Sequence, residues 1–458
     1  MPAGDWTYDA LMHLAAEGLV PVPAQRFMGD WLYTRKEMSN FVFAAVQRLD
    51  ESASEGERAI LARLVAEFSP ELQYFGASFV MDQLDPFVER NAVIPTAAFQ
   101  PRIVQSDGET HLIGIYDATG FVTRGKYLTI GATLSNVRRQ FGSDEFSRLD
   151  KYFIRGKTPN WEWEIGQNWM WWGPGYSGSM ILSDNSPAFP MVKLGKDFDF
   201  GRKIGNIKIT QFASRFEDDG QTFYLLGRRW EKRFSRYFHA GISETAKTSK
   251  TPNPLAFILP SYYLYQLIYL DDVDKEFNVL VAIDATYKFS PRFEGYIDYL
   301  IDDRTAPQFL LDEPAWNIPR KTGYLIGAYS PDLLGDGTTG LRLEYIMTEP
   351  GTYGATRPDF PGLAYTHDGF IIGHPVGQNS EAFFVRLDRK FGREWTAFVE
   401  LLDRKPRNPE GVNPDDTRRF SIFVARDVAP RASLILRYDS LRLPEKEDRL
   451  QFGASYAF

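Results

Sequence analysis

Leu450-Gln451-Phe452-Gly453-Ala454-Ser455-Tyr456-Ala457-Phe458 closes the chain and reads as a β-strand. Leu450, Phe452, Ala454, Tyr456 and Phe458 fall on one face, and Gln451, Gly453, Ser455 and Ala457 on the other. Side chains alternate across a strand, so one face is apolar and aromatic and the other small and polar. A soluble antiparallel strand with one buried face shares this period. Apolar residues outward with small and polar residues inward is also the pattern of a membrane barrel strand, and the rest of the chain discriminates between the two.

Period two recurs upstream. Phe277, Val279, Val281, Ile283, Ala285, Tyr287 and Phe289 alternate with Asn278, Leu280, Ala282, Asp284, Thr286 and Lys288. Past Ser290-Pro291, Phe293, Gly295, Ile297, Tyr299 and Ile301 alternate with Glu294, Tyr296, Asp298, Leu300 and Asp302. Further strands are expected at 383–391, 395–401, 420–426 and 432–438. Their lengths approach the roughly 9–11 residues a tilted strand needs to cross a bilayer. Connections are short at Ser290-Pro291, Ser330-Pro331-Asp332, Gly392-Arg393 and Ala429-Pro430, and longer at 303–321, 349–380, 405–416 and 443–448. Tight turns alternating with long loops is barrel topology. The last strand ends on the short-turn side, which puts short turns and both termini in the periplasm and long loops outside the cell. With Phe458 last and Tyr456 two before it, that strand resembles the C-terminal signature read by the barrel-insertion machinery of outer membranes. About 20 residues per strand and connection gives 16–18 strands, about 18, for an all-β antiparallel transmembrane barrel over 76–458.

Composition agrees. Aromatic residues make up 15% of the 458, enough for a lipid-facing belt with girdles at both interfaces. Mean hydropathy is −0.32, and no stretch reaches the roughly 18 apolar residues of a spanning helix. A membrane reading therefore requires a closed barrel, since lipid does not tolerate an open sheet edge. The absence of cysteine excludes disulfides, thiol catalysis and thiolate metal sites. A net charge of −8 argues against nucleic-acid binding. Met1 is followed by Pro2-Ala3-Gly4-Asp5, with no basic-then-apolar leader. Either the signal has been removed or the chain is not exported.

Residues 1–75 read as helical, a small bundle at the periplasmic mouth. Tyr8, Leu11, Met12 and Ala15 keep helical spacing up to Gly18. Thr34-Arg35-Lys36-Glu37 is a capping box before the stripe Met38, Phe41, Val42, Ala45, Val46 and Leu49. Ser54 to Glu57 repeats the pattern before Ile60, Leu61, Leu64, Val65 and Phe68. Three short amphipathic helices follow. Tyr8 to Leu11, Glu17 to Val20 and Thr34 to Glu37 together resemble a single S-layer-homology repeat, a family whose Thr-Arg-x-Glu segment helps bind cell-wall polymers. Helix capping is the plainer role for Thr34 and Glu37, and it is preferred.

Half of the ten tryptophans, Trp161, Trp163, Trp169, Trp171 and Trp172, fall within twelve residues. They lead into Gly173-Pro174-Gly175-Tyr176-Ser177-Gly178-Ser179-Met180-Ile181-Leu182-Ser183-Asp184-Asn185 and then Ala188-Phe189-Pro190. This string resembles the Wzi capsule-assembly family, which carries Trp-Trp-Gly-Pro-Gly followed by Gly-Ser, Leu-Ser-x-Asn and a Pro. Asn253-Pro254-Leu255, the strand from Glu294 to Asp303 and Lys321-Thr322-Gly323-Tyr324 support it. The resemblance covers most of the chain after about residue 95. It implies an outer-membrane barrel of about eighteen strands with a periplasmic helical bundle, acting as a surface lectin or within exopolysaccharide export. Trp161 and Trp163 are expected in a membrane girdle. Trp171, Trp172 and Tyr176 suit stacking on sugar rings, and Asn185, Asp302 and Asp303 suit hydrogen bonds to hydroxyls. A Gly-Pro-Gly between strands also has the option of folding into the lumen as a plug.

Catalytic chemistry is not called for. His13, His111, His239, His367 and His374 are scattered, with no second ligand at metal spacing. Ser177 is not in a Gly-x-Ser-x-Gly elbow. The inward acids Glu294, Asp298 and Asp302 read as a lumen wall, solvated or answered by Arg386, Arg426 and Arg437, in preference to a catalytic pair. No cofactor or metal is expected. The expected function is non-catalytic, lectin-like binding of a surface polysaccharide during capsule or exopolysaccharide assembly. The expected partners are that polysaccharide, outer-membrane lipid, the insertion machinery, and periplasmic export proteins or cell-wall polymer. The alternative is a porin, or a tether from outer membrane to wall through the S-layer-like unit.

Overall fold

The computed structural model describes the chain apart from residues 1–5, 23, 28–32, 34, 50–52, 54, 75–91, 107–108, 125–127, 136–150, 159–160, 219, 236, 254–255, 257–260, 263–276, 291, 303–320, 336–337, 356–360, 392–393, 409–414, 430–431, 443–445 and 458. Helices α1 (Trp6–Ala16), α2 (Arg35–Arg48), α3 (Glu55–Glu67) and α4 (Ser69–Tyr74) come first. Strands follow: β1 (Ala92–Ser106), β2 (Glu109–Arg124), β3 (Leu128–Ser135), β4 (Lys151–Lys157), β5 (Trp161–Asn168) and β6 (Phe189–Asp199). After a short helix α5 (Gly201–Ile204) come β7 (Asn206–Asp218), β8 (Gln221–Arg233), β9 (Phe238–Thr248), β10 (Phe277–Ser290), β11 (Phe293–Asp302), β12 (Thr322–Ser330) and β13 (Thr339–Thr348). A two-residue hairpin, β14 (Thr366–His367) and β15 (Phe370–Ile371), precedes β16 (Ser380–Phe391), β17 (Trp395–Pro406), β18 (Thr417–Ala429), β19 (Ala432–Arg442) and β20 (Lys446–Ala457).

Apart from the hairpin, the strands form one 18-stranded antiparallel sheet. It closes because β1 pairs with both β2 and β20. Closure removes the sheet edge that lipid would not tolerate. Each strand pairs with its sequence neighbour, and β13 pairs with β16 across the hairpin. The terminal strand has the expected parity: Gln451 is buried, whereas Phe452 is 48% exposed on the outer face. The side chain of Tyr456, and Phe458 altogether, lie outside what is described.

The connections mostly sort as the sequence indicates. Long ones join β11 to β12, β13 to β16 and β17 to β18, all at one end of the barrel. The alternation is not strict, because β1–β2, β7–β8 and β19–β20 make tight turns at that same end. The outer wall is apolar, with Ile297, Ile326, Leu343, Phe383 and Leu434 exposed. Tyr324, Tyr345 and Phe383 cluster near the long-loop end. Tyr287, Phe289 and Phe293 cluster near the short-turn end. Trp161 and Trp163 alternate with the buried Glu162 and Glu164 on β5, so both point outward.

One sector of the outer wall is not bare. Arg228 and Glu244 are cross-strand neighbours that point outward, next to the inward pair Arg229 and Ser243. Both are nevertheless buried, by residues of the β9–β10 connection. Arg228 donates to the Ala256 carbonyl at 3.0 Å, and Glu244 accepts from Ser261 Oγ at 2.7 Å and from the Tyr262 amide at 2.9 Å. Phe277 and Val279, expected on the lipid face, do point outward but are buried in the same cluster.

The helices pack as the apolar spacing demands. Tyr8, Leu11, Met12, Ala15, Met38, Val42, Ala45, Ile60, Leu61, Leu64 and Phe68 are buried. The bundle has a fourth helix, α4, beyond the three expected. Thr34 of the expected capping box is outside the described residues. The bundle docks at the short-turn end: Arg292 pairs with Glu17 at 3.6 Å, Arg63 with Asp427 at 3.2 Å, and Arg233 donates to the Pro21 carbonyl at 3.2 Å. Lys288 donates to the Ala15 carbonyl.

Candidate functional site in the plugged lumen

The tryptophan segment leaves β5 at the long-loop end and folds back into the lumen. Trp172 and Leu182 bridge its two arms, and Met170, Trp172, Met180, Ile181 and Leu182 are buried. Gly173 sits at φ +142°, where a side chain would meet the Asp298 carboxylate and Ser179. Glycine allows that close approach.

The β13–β16 connection folds inward as well and interlocks with the first. Ser183 Oγ donates to the Gly373 carbonyl at 2.6 Å, Asn185 Nδ2 to the Ile371 carbonyl at 2.8 Å, and Tyr353 OH to the Met180 carbonyl at 2.6 Å. The barrel wall holds this second loop in turn. Lys247 donates to the carbonyls of Ala364 and Thr366, each at 2.8 Å, and Asn278 donates to Leu363 at 2.9 Å.

The three acids of β11 have a different role from the one expected. Glu294 accepts the Ala24 amide at 3.4 Å, Asp298 the Met180 amide at 2.9 Å, and Asp302 the Tyr353 amide at 2.7 Å. Their four-residue spacing on one face thus meets the helical bundle, the tryptophan loop and the second loop in turn. The expected arginine partners lie elsewhere. Arg386 pairs with Glu400 at 2.5 Å and Arg437 with Asp439 at 2.8 Å. Arg426 is exposed and pairs with Glu394 at 3.4 Å, since its parity on β18 is outward.

Glu344, inward on β13, anchors the Gly-Pro-Gly bend. It accepts from the Tyr176 amide at 2.6 Å, the Ser177 amide at 2.9 Å, Ser177 Oγ at 2.5 Å and Tyr296 OH at 2.6 Å. His374 Nε2 is 3.3 Å from the same Ser177 Oγ, and its Nδ1 accepts the Val376 amide at 3.2 Å. The Nε2 proton therefore points at Ser177, whose own proton goes to Glu344. Burial holds His374 down to about 3, so the ring is neutral.

The candidate residues divide by surroundings. Trp171 is half-buried and lines a small, solvent-open polar cleft together with Glu162, Trp172, Lys193, Lys208, Thr210, Arg229 and Glu231. Its indole nitrogen has no hydrogen-bond partner. The cleft wall consists of ion pairs: Lys208–Glu162 at 2.6 Å, Lys193–Glu164 at 3.3 Å and Arg229–Asp284 at 2.6 Å. Trp172 is buried edge-on to Phe212 at 5.4 Å. Tyr176 lies beneath the guanidinium of Arg342 at 4.5 Å and beside that of Arg386 at 5.2 Å, and burial raises its hydroxyl to about 12. Asn185 and Asp302 tie segments of the plug together, and Asp303 lies outside the described residues. The structure thus brings Trp171 and Trp172 to one cleft, with Tyr176, Asn185 and Asp302 deeper in the plug. No sequence signal marks Glu344, Lys247, Asn278 or Tyr353 as site residues. The inward parity of the first three was legible, but the loops they would meet were not.

A closed barrel of this size, apolar outside, charged inside and filled by its own loops and an N-terminal bundle, is of the outer-membrane class. The chain belongs to the Wzi capsule assembly family, whose model, described as capsule assembly protein Wzi, matches residues 51–457. Among solved structures it is similar to Wzi of Escherichia coli, an outer-membrane protein involved in group 1 capsule assembly and described as a carbohydrate-binding β-barrel. The TM-score is 0.68 at 14% identity, covering 100% of this chain and 98% of that one. OpdQ of Pseudomonas aeruginosa gives a TM-score of 0.46 at 8% identity, over 80% of this chain and 96% of that one. OpdL of the same species gives 0.46 at 9%, over 80% and 98%. No curated protein matches by sequence.

Proposed function

We propose that this protein holds a surface polysaccharide at the outer membrane during capsule or exopolysaccharide assembly, as a lectin and without catalysis. The observation that carries this reading is the tryptophan loop, folded into the lumen so that Trp171 faces a cleft of fixed, alternating cations and carboxylates. Ion pairs keep spare donors and acceptors in place for hydroxyls, and an indole offers an apolar face to a sugar ring. Membership of a capsule assembly family supports the same reading. Trp171, Trp172, Tyr176, Asn185 and Asp302, with Asp303, are the proposed site. In it Trp171 makes direct contact, while Trp172, Tyr176, Asn185 and Asp302 shape the loop.

The non-catalytic part rests on proton direction. A nucleophilic serine gives its proton to a histidine base, whereas here His374 donates to Ser177 and Ser177 donates to a carboxylate. The proposed orientation has long loops outside the cell, short turns and both termini in the periplasm, residues 1–75 as a plug module and 76–458 as the barrel. Tyr456 and Phe458 serve barrel insertion. Export proteins or wall polymer would meet the bundle.

The test is replacement of Trp171, the ring that faces the cleft, by Ala in producing cells. Retention of polysaccharide on cells should fall while surface level and barrel assembly stay unchanged. Normal retention by a normally assembled variant would place the binding site elsewhere.

A further inference from the structure

Among the described residues, the lumen is filled unevenly. On β10 to β13 the inward Asp284, Glu294, Asp298, Leu325, Arg342 and Glu344 are all buried. On β17 to β19 the inward Phe398, Phe423, Ile435 and Arg437, in the half nearer the short turns, keep partial exposure, whereas Glu400, Leu402, Ser421 and Asp439, nearer the long loops, are buried. That exposure is to the lumen, because Val399, Ile422, Leu434 and Leu436 take the outer face of the same strands. A strip of open lumen therefore lies beside the short-turn half of β17 to β19, about a quarter-turn round the barrel from the β10–β13 wall that holds the plug.

The strip has an unusual lining for a water-filled space. Phe398 and Phe423, cross-strand neighbours, stack at 4.7 Å with 10° between planes. The Arg386 guanidinium lies 3.8 Å from the Phe398 ring, so three planar groups form one layered row across β16 to β18. Apolar surface facing water is unfavourable by roughly 25 cal/mol per Å², so two partly exposed inward phenylalanines favour an occupant with an apolar face, as a sugar ring has. The charges around them are matched within the wall: Arg386 with Glu400 at 2.5 Å, Arg437 with Asp439 at 2.8 Å, and Ser421 Oγ on Asp439 at 2.5 Å. Matched pairs attract a polyanion weakly but still bind hydroxyls by direction. Tyr176 borders the strip through Arg386 and Phe384, so it is continuous with the tryptophan loop.

We propose that the inner face of β16 to β19, centred on Phe398 and Phe423, is a second saccharide surface that takes hydroxyl-rich units of a sugar chain inside the lumen. This rests on the polysaccharide reading above and adds a location and a chemistry to it.

The probe is the producing cell's own surface polysaccharide, cut to short chains and titrated by calorimetry into the detergent-solubilised full chain. Binding should change little with added salt, because the charges named beside the rings are already paired. F398A/F423A should weaken binding about tenfold, close to 1.4 kcal/mol. A425W, which fills the strip from the inward position next to Phe423, should weaken it comparably without removing a ring. F383A, on the outer face, is the control and should bind as wild type. If F398A/F423A and A425W both bind as wild type, or if salt abolishes binding, the strip proposal is overturned while the polysaccharide reading stands. If the wild-type chain itself binds nothing, the reading beneath both is overturned.

Discussion

Asp298 on β11 accepts the backbone amide of Met180 at 2.9 Å, fixing the tryptophan loop to the wall at the centre of the plug. Glu294 and Asp302, one step below and one above, do the same for the helical bundle and the second loop. A buried donor left without its acceptor costs about 1–3 kcal/mol. D298A should therefore loosen the tryptophan loop by about 2 kcal/mol and raise single-channel conductance in planar bilayers above that of the wild type. Conductance equal to wild type would mean that Asp298 does not hold the plug.

The outer wall makes two opposed predictions. Ile297 points outward mid-strand on β11 and is 42% exposed, so I297R should cost roughly 2–4 kcal/mol. Glu244 also points outward but is buried beneath Ser261 and Tyr262. There the charge is the native group, and E244A should cost about 1–3 kcal/mol because it leaves the Ser261 hydroxyl and the Tyr262 amide without their buried acceptor. Urea unfolding in micelles measures both. A negligible loss for I297R would mean that the register is wrong by one residue.

Trp171 and Trp172 are adjacent but should respond differently. Trp172 packs on Phe212 inside the plug, and W172A should cost about 3–5 kcal/mol of stability. Trp171 faces the cleft, so W171A should cost clearly less stability and more polysaccharide binding. Comparing unfolding midpoints with binding titrations separates the two, and equal stability losses would contradict the assignment.

Docking of the bundle should depend on pH. Burial, with Glu57 and Asp332 adding and Arg292 and Lys288 opposing, pushes the Glu17 carboxyl from 4.5 up to about 8. The folded state then prefers the protonated acid, so this group's contribution falls as pH rises from about 4.5 to 8. Burial holds His13 down from 6.5 to about 3, so its contribution falls as pH drops through that range. The two oppose each other below 6.5, and from 6.5 to 8 Glu17 acts without His13. Asp9, raised by burial, works in the same direction as Glu17. Corrected for intrinsic rates, the α1 amides should exchange hydrogen faster at the upper end of that window, and E17Q should largely remove the difference. A pH-independent wild type would refute this.

The sequence carried the barrel because strand periodicity is local. The alternation of Glu294, Asp298 and Asp302 with Ile297 and Tyr299 can be read one residue at a time, and burial follows it. Connection lengths carried, for the same reason, which end of the barrel gathers the long loops. The fate of the long loops was far less legible. The 349–380 connection is as rich in Gly, Pro and Asp as a solvent-facing loop, yet it buries Tyr353, Tyr365 and His374. What folds it inward is Lys247, Asn278 and Asp302 on three separate strands, a convergence that no local pattern encodes. Phe277 and Val279 keep the outward parity that the alternation predicts, yet Ala256 and Tyr262 of the preceding connection pack over them, which a strand pattern does not encode. Of the candidate site, the tryptophan string was legible from its composition. Which of its rings keeps an open face depended on the fold.

The most direct measurement is the fate of surface polysaccharide when the gene is deleted from a producing cell. The account predicts that total polysaccharide is unchanged, that the cell-bound fraction falls and the fraction in the medium rises, and that the wild-type gene restores retention. A deletion strain that keeps its polysaccharide on the surface in wild-type amount would contradict it.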